Sequence, residues 1–207
     1  QGKGQRNKQW ITEYGQNITM SIVAEPVFLR PDNSFHLIAA VALGIYDFFK
    51  HYAGEETRIK WPNDIYWRDR KAVGILIENV IRDKKWMFAV IGVGVNVNQT
   101  EFGAFNITSL SDITGKKYDI IALAKELCGF IENRYEQLQS SPGTILSDYR
   151  NALYKRNEIV RFKKEDSFFE AAVLGVTDNG SLLVKTDQEM LFSWGEVEWV
   201  IEKSDKE

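Results

Sequence analysis

Apolar residues recur with two different periods, and the periods divide the chain into a part built of helices and strands and a part built of strands alone. The segment "NITMSIV" (17–23) alternates, with Ile18, Met20 and Ile22 on one side, which is the period of a half-buried strand. In "PDNSFHLIAAVALGIYDFFKHY" (31–52), Phe35, Leu37, Ile38, Val41, Ile45, Phe48 and Phe49 fall at helical spacing, and Asn33 or Ser34 can cap the helix. Next, "TRIKWPNDIYW", "KAVGILIENVI" and "KKWMFAVIGVGVNV" are predicted as consecutive strands, the last two rich in Val and Ile and joined through "RDKK". A second amphipathic helix is predicted from Asp119 to about Leu138. Ser141-Pro142 starts another, because proline at the first helical position sacrifices no hydrogen bond.

From about Lys155 the texture changes. "EIVRF", "FFEAAVLGV", "SLLVKT", "EMLFSW" and "EVEWVI" are short strands separated by turn signals such as "DNG" and "DQE". The pattern predicts an α+β protein. Residues 1–154 form a mixed β-sheet with helices packed on one face, and residues 155–207 form a small closed β-barrel of the SH3-like size class.

Composition narrows the functional classes. The chain has 207 residues, 44% of them hydrophobic, so it can bury a sizeable core. Net charge is only -3 and, beyond the opening segment, the cations are dispersed, which argues against broad electrostatic binding of nucleic acid by this segment. The lone cysteine, Cys128, cannot form an internal disulfide and fits a reducing, cytoplasmic setting. No apolar run approaches the roughly 20 residues that span a bilayer, and no signal-peptide pattern is present. His36 and His51 are too few and too scattered for a catalytic triad or a zinc site.

Four stretches carry candidate chemistry, and each has a plain structural alternative. The opening "QGKGQRNKQW" sets Gly2 and Gly4 beside Lys3, Arg6 and Lys8; it is either a solvated terminus or a loop whose amides and cations wrap an anion. It is not a P-loop, since no Gly-Lys-Ser/Thr follows. In "KWPND" (60–64), Trp61-Pro62 favours an extended dipeptide and Asn63-Asp64 a turn, so Lys60, Asn63 and Asp64 can meet a phosphate; alternatively the motif ends a strand and Trp61 plugs the core. "DRKAVGILIEN" (69–79) places Lys71 at the mouth of an apolar strand and Gly74 within it, either lining a cleft or forming an ordinary turn and bulge. The glycines of "GVGVNVN" (92–98) mark close approach by a planar ligand, with Asn96 offering an amide. A dinucleotide fingerprint fails because Val97 takes the third glycine position and no helix follows.

Taken in order, "GKGQRNKQW", "KWPND", "DRKAVGILIEN" and "GVGVNVN", followed by a helix and a small terminal barrel, resemble the biotin protein ligases over nearly the whole chain. That resemblance implies a catalytic domain related in fold to the class II aminoacyl-tRNA synthetases. It also implies a reaction that joins biotin and ATP into biotinyl-5′-AMP and pyrophosphate, then passes biotin to a lysine of a biotin carboxyl carrier protein. Gly2, Lys3 and Gly4 then belong to the loop that closes over biotin and its adenylate, and Trp10 matches a tryptophan that packs against adenine. Lys60, Asn63 and Asp64 match positions around the ATP phosphates, with Asp64 in the region of Mg2+. Lys71 matches the lysine that bonds the biotin carboxylate and the reacting phosphate, Gly74 and Gly92 line the biotin pocket, and Asn96 lies near the adenylate. Lys3 and Gln5 stand where many relatives carry arginine, and Arg6 is the cation that can replace the charge Gln5 lacks.

The family's upstream strand and helix are absent from these residues, so more chain is expected before residue 1. Homodimer formation through a sheet edge is a further expectation from the family. The alternatives are a lipoate or octanoate ligase or transferase of the same superfamily, or a bifunctional ligase and transcriptional repressor if a DNA-binding domain precedes this chain.

Overall fold

The computed structural model describes residues 2–3, 9–10, 12–103 and 105–201. A two-residue pairing opens it, β1 (Gly2–Lys3) antiparallel to β2 (Gln9–Trp10). The main sheet follows, with β3 (Asn17–Ala24), β4 (Thr57–Lys60), β5 (Asp64–Trp67), β6 (Arg70–Arg82) and β7 (Lys85–Asn96) in the order β3-β7-β6-β5-β4. The segment predicted as one strand, "TRIKWPNDIYW", is a hairpin: Trp61, Pro62 and Asn63 make its turn, and Lys60 lies opposite Asp64.

Every ladder in this sheet is antiparallel, which corrects the expectation of a mixed sheet. The reason is connectivity. Short turns join β4 to β7 as a meander, and the one long crossover, through helix α1 (Ser34–Ala53), runs from β3 at one edge to β4 at the other. Those two strands run in the same direction but never meet, so the crossover creates no parallel pair.

Helix α1 is apolar around most of its circumference, which suits a helix covered by others on several sides. Asn33 occupies its N-cap position without a side-chain cap, following a short 3-10 turn at Pro31–Asn33, and Gly54, at φ 81°, ends it. α1 packs against α3 (Ile120–Ser140) and α4 (Pro142–Asn151), both at the predicted places. Asp119 is the cap of α3, accepting from the amides of Ile121 and Ala122. The short helix α2 (Leu110–Thr114) has too few residues to show a period and was not predicted. Arg134 of α3 joins the other two long helices, donating to Asp47 on α1 and to Asp148 on α4, each at 2.6 Å.

The last five strands are β8 (Ile159–Lys164), β9 (Ser167–Val176), β10 (Leu182–Lys185), β11 (Glu189–Phe192) and β12 (Glu198–Trp199), where the sequence predicted them. They form one antiparallel sheet in the order β11-β10-β9-β8-β12. It is fastened to the turn of the β4–β5 hairpin and to helices α1 and α4. The indole N–H of Trp61 donates to the Gly180 carbonyl at 2.9 Å, and Arg150 Nε donates to the Val176 carbonyl at 2.7 Å. Gly180 sits at φ +90°, against the Phe35 ring, where a Cβ would collide. The connecting segment touches the edge strand β4 through one isolated parallel bridge outside the ladders, in which the Ile59 N–H donates to the Ala152 carbonyl and the Ile59 carbonyl accepts from the Tyr154 N–H.

The approach of α1 to α3 depends on Gly44. A Cβ there would lie 2.7 Å from the Ile131 Cα and 2.8 Å from the Phe130 carbonyl oxygen, both backbone atoms of the facing helix. Alanine would gain up to about 1 kcal/mol of helix propensity but must push two helices apart. We expect Gly44→Ala to destabilise the protein by about 1–3 kcal/mol net, read as a fall in thermal midpoint of roughly 2–4 °C per kcal/mol. An unchanged or raised midpoint would contradict this packing.

Candidate active site

Strand pairing brings the candidate residues together. Asp64 lies opposite Gly74, Gly74 opposite Gly94 and Gly94 opposite Thr19, so four strands contribute one row across the sheet. The next row is Leu76, Gly92 and Ser21. Side chains alternate along a strand, so these rows share one face while Val73, Ile75, Ile91, Val93 and Val95 join the core on the other. Glycine at three positions leaves a bare floor to a cleft of about 1020 Å3, the size class of a pocket for a large organic ligand.

The floor is partly covered by Trp10. A Cβ on Gly74 would lie 2.8 Å from Trp10 Cζ3, and one on Gly94 2.5 Å from Trp10 Cε2, so the indole lies directly on these two glycines. Gly92 is different: a Cβ there would meet only Leu76, its carbonyl oxygen at 3.6 Å. Where the sequence predicted a planar ligand, the planar group that lies on these two glycines is the chain's own Trp10. Thr12 and Glu13, just beyond Trp10, are tied down by Asn17 and Gln99. Asn17 Nδ2 donates to Thr12 Oγ1 at 2.9 Å and to Gln99 Oε1 at 2.6 Å, and the Glu13 amide donates to Gln99 Oε1 at 3.2 Å.

At the end of the first row, Lys71 Nζ forms an ion pair with Asp64 Oδ2 at 2.7 Å, and Nζ lies 5.9 Å from the centre of the Trp10 ring. Both ionic side chains are under one-third exposed. A lysine and an aspartate from separate motifs therefore meet in the cleft. Lys60 lines the cleft farther along, with Nζ 5.2 Å from the centre of the Tyr66 ring and 5.7 Å from that of Trp199. Burial, reinforced by the negative charge of Asp64, raises the Tyr66 hydroxyl well above the usual tyrosine range, so Lys60 faces a neutral ring.

Asn63 is buried and spends its amide on the fold, donating to the Ile75 carbonyl at 2.5 Å; Trp61 plugs the core. The turn that contains them is also held from α4, where the buried Tyr149 hydroxyl donates to the Pro62 carbonyl at 2.7 Å. The structural and chemical readings of "KWPND" thus divide by residue: Trp61 and Asn63 build the turn, while Lys60 and Asp64 present charge to the cleft. Asn96 is likewise committed, its amide donating to the Thr108 carbonyl at 3.1 Å, although it lines the cleft.

Of the opening loop, the backbones of Gly2 and Lys3 lie in β1, while Gly4, Gln5 and Arg6 lie outside the described residues. Sequence reasoning missed three contributors. Gly94 was visible in "GVGVNVN", but only strand register shows that it pairs with Gly74. Gln99, Glu101, Phe102, Phe105 and Ile107 form one wall, and Trp194, Glu198 and Trp199 bring the second sheet into the cleft. No periodic signal marks such residues, because they converge from distant segments. Among the described residues no group of three or more His, Cys, Asp or Glu side chains forms a metal cluster, and no helix is long and apolar enough to cross a membrane.

Residues 1–96 match the Biotin/lipoate A/B protein ligase family. The bifunctional ligase/repressor BirA of Bacillus spizizenii is 30% identical over 90% of this chain, and the chain spans 59% of that relative's length. The biotin--[acetyl-CoA-carboxylase] ligase of Paracoccus denitrificans is 25% identical, with 89% of this chain and 80% of that protein aligned. In fold, the chain is similar to the biotin protein ligase from Aquifex aeolicus, solved in complex with biotin and ATP, with a TM-score of 0.81 at 21% identity over 97% of this chain and 85% of that one. Residues 1–96 are therefore similar to the biotin/lipoate A/B protein ligase family, and the chain is similar to biotin protein ligases along most of its length.

Proposed function

We propose that this chain is the catalytic part of an ATP-dependent biotin protein ligase, which makes biotinyl-5′-AMP and transfers biotin to a lysine of a biotin carboxyl carrier protein. The observation that carries the reading is the Lys71–Asp64 pair at the end of a glycine floor, inside a cleft walled by both sheets. The names of the relatives, biotin--[acetyl-CoA-carboxylase] ligase among them, support the choice of substrate and acceptor.

The chemistry fits that cleft. A carboxylate oxygen of biotin attacks the α-phosphorus of ATP, forming a C–O–P mixed anhydride and expelling pyrophosphate. Two anions must meet, and the Lys71 ammonium, with Lys60 nearby, offsets the repulsion most where charge builds up in the transition state. The ion pair with Asp64 holds the Lys71 side chain at the cleft before the ligand carboxylate and phosphate arrive to compete for it. The acceptor amine then attacks the activated carbonyl, AMP departs, and the amine gives up a proton as the amide forms. A cleft closed to water protects the anhydride from hydrolysis between the steps.

Asp64 offers one hard carboxylate oxygen on the cleft wall, a donor set that suits Mg2+ carried in with nucleotide phosphates, since Mg2+ keeps most of its shell as water and phosphate oxygen. When bound, the ion would neutralise phosphate charge. Gly2, Lys3, Gly4, Gln5 and Arg6 complete the proposal as the loop over the adenylate, with Gly74 and Gly92 under biotin, Trp10 beside the adenine, and Asn63 and Asn96 supporting the walls. We read residues 1–154 as a catalytic domain of the class II synthetase-like type. Residues 155–207 are read as a small SH3-like barrel, a reading favoured by the register shift in the β9–β10 ladder, which leaves Leu174 of β9 as the extra residue, and by the aromatic cluster of Phe162, Phe169, Phe192 and Trp199.

Three outcomes are expected. In the intact protein, labelled pyrophosphate should exchange into ATP with biotin and not with lipoate; exchange with lipoate alone would assign the chain to the other branch of the family. Lys71→Ala should slow biotin-dependent exchange by about 100-fold or more, the usual cost of removing a preorganised charge from a transition state. Gly92→Ala should fold as well as the parent, because only ordinary contacts await its methyl, yet weaken biotin binding in calorimetry by about 10-fold through steric loss at the floor. Unchanged affinity would place biotin elsewhere.

A further inference from the structure

Lys71 is held by more than its ion pair. Its backbone N–H donates to the Asn106 carbonyl and its carbonyl accepts from the Thr108 N–H, both at 2.9 Å, so the irregular segment 106–108 brackets it. That segment lies in a loop, and a loop can define the place of a catalytic side chain only if something fixes the loop. Asp112, on α2, does so from two directions. Its Oδ2 accepts from the hydroxyl of the fully buried Thr108 at 2.8 Å and from Arg70 NH1 at 2.6 Å. Arg70 precedes Lys71 in the chain, and Thr108 donates its N–H to the Lys71 carbonyl. One carboxylate oxygen thus joins the two neighbours of Lys71, and the Asp112 N–H is in turn capped by Ser109 Oγ at 3.1 Å.

We propose that Asp112 is a positioning residue for Lys71: the Arg70–Asp112–Thr108 bridge fixes the Lys71 backbone so that its ammonium points into the cleft at the place where carboxylate and phosphate react. Asp112 touches no substrate; it acts through the backbone of the residue that does. This rests on the ligase reading above. Small displacements of a reacting group are costly in rate, about 100-fold for 1 Å, whereas a simple staple would affect stability alone. Loss of the bridge should therefore appear in turnover and in the binding of reaction-like ligands, and little in affinity for biotin itself.

The test is a mutant cycle in the intact protein, read by biotin-dependent pyrophosphate exchange and by calorimetric binding of a non-hydrolysable sulfamoyl analogue of biotinyl-AMP. Asp112→Ala should lower the kcat of exchange about 10- to 100-fold while the KM for biotin changes less than about 3-fold. Asp112→Asn, which keeps an acceptor oxygen in place, should recover most of the rate and guards against a folding defect in the alanine variant. Asp112→Ala should weaken the analogue about 10-fold with Lys71 present and less than 2-fold in Lys71→Ala, the non-additivity expected when one residue acts through the other. Equal losses in both backgrounds, or an active Asp112→Ala enzyme with parental kcat, would overturn the positioning role while leaving the ligase reading intact. Absence of biotin-dependent exchange in the parent protein would overturn the ligase reading and this inference with it.

Discussion

The pairing of Gly74 with Gly94 sets the rest of the site. In an antiparallel sheet one register fixes which side of every strand is buried, and a slip of one residue would turn the glycines into the core and the valines into the cleft. With the register as found, Val73, Ile75, Ile91, Val93 and Val95 serve the core, and that burial pins the glycine rows to the opposite face. Asp64 enters the same row because β5 pairs with β6, although a bulge between Ile65 and Tyr66 shifts the register immediately afterwards. The bulge lets Tyr66, rather than its neighbour, lie opposite Lys71. Packing on one side of the sheet thus dictates chemistry on the other, and a site built this way is as rigid as the core beneath it.

The turn between β4 and β5 ties that sheet to the second one. Trp61 fills the core and hands its N–H to Gly180, Pro62 accepts from Tyr149 on α4, and Lys60 lies beside rings from both sheets. Five consecutive residues therefore touch a helix, the second sheet and the cleft. The C-terminal strands serve as a wall of the same cavity, with Trp199 reaching Lys60 and Tyr154, the latter bonded through its hydroxyl to Asp69.

Much of this was legible in the sequence, for identifiable reasons. The alternation in β3, the apolar run of α1 and the turn-punctuated strands after Lys155 are local signals, and local signals survive without tertiary context. The motif order pointed to the biotin protein ligases, to which the chain is similar, and motif residues Lys60, Asp64, Lys71, Gly74, Gly92 and Asn96 line one cleft. What could not be read locally was the direction of pairing. Whether a sheet is mixed or antiparallel depends on where a crossover lands, and "KWPND" could not disclose that two of its residues serve the fold and two the cavity. Helix α2 and Asp112 escaped notice because five residues give no period and a lone aspartate in so short a helix resembles any other. Their importance lies in contacts with residues about 40 positions away along the chain.

The polar knot of Asn17, Gln99, Thr12 and Glu13 has a consequence for the tryptophan that lies on the glycine floor. Thr12 is fastened at the rim, and Trp10 stands only two positions before it in the chain. An extended chain covers about 3.3–3.6 Å per residue, so the Trp10 backbone remains within about 7 Å of its anchor whatever the remainder of the opening loop does. On such a short leash the indole cannot be diluted into solvent. Whether it rests on the glycines or on a ligand that displaces it, it is held at a high effective concentration, and the entropy of bringing an aromatic surface to the ligand has already been spent in folding.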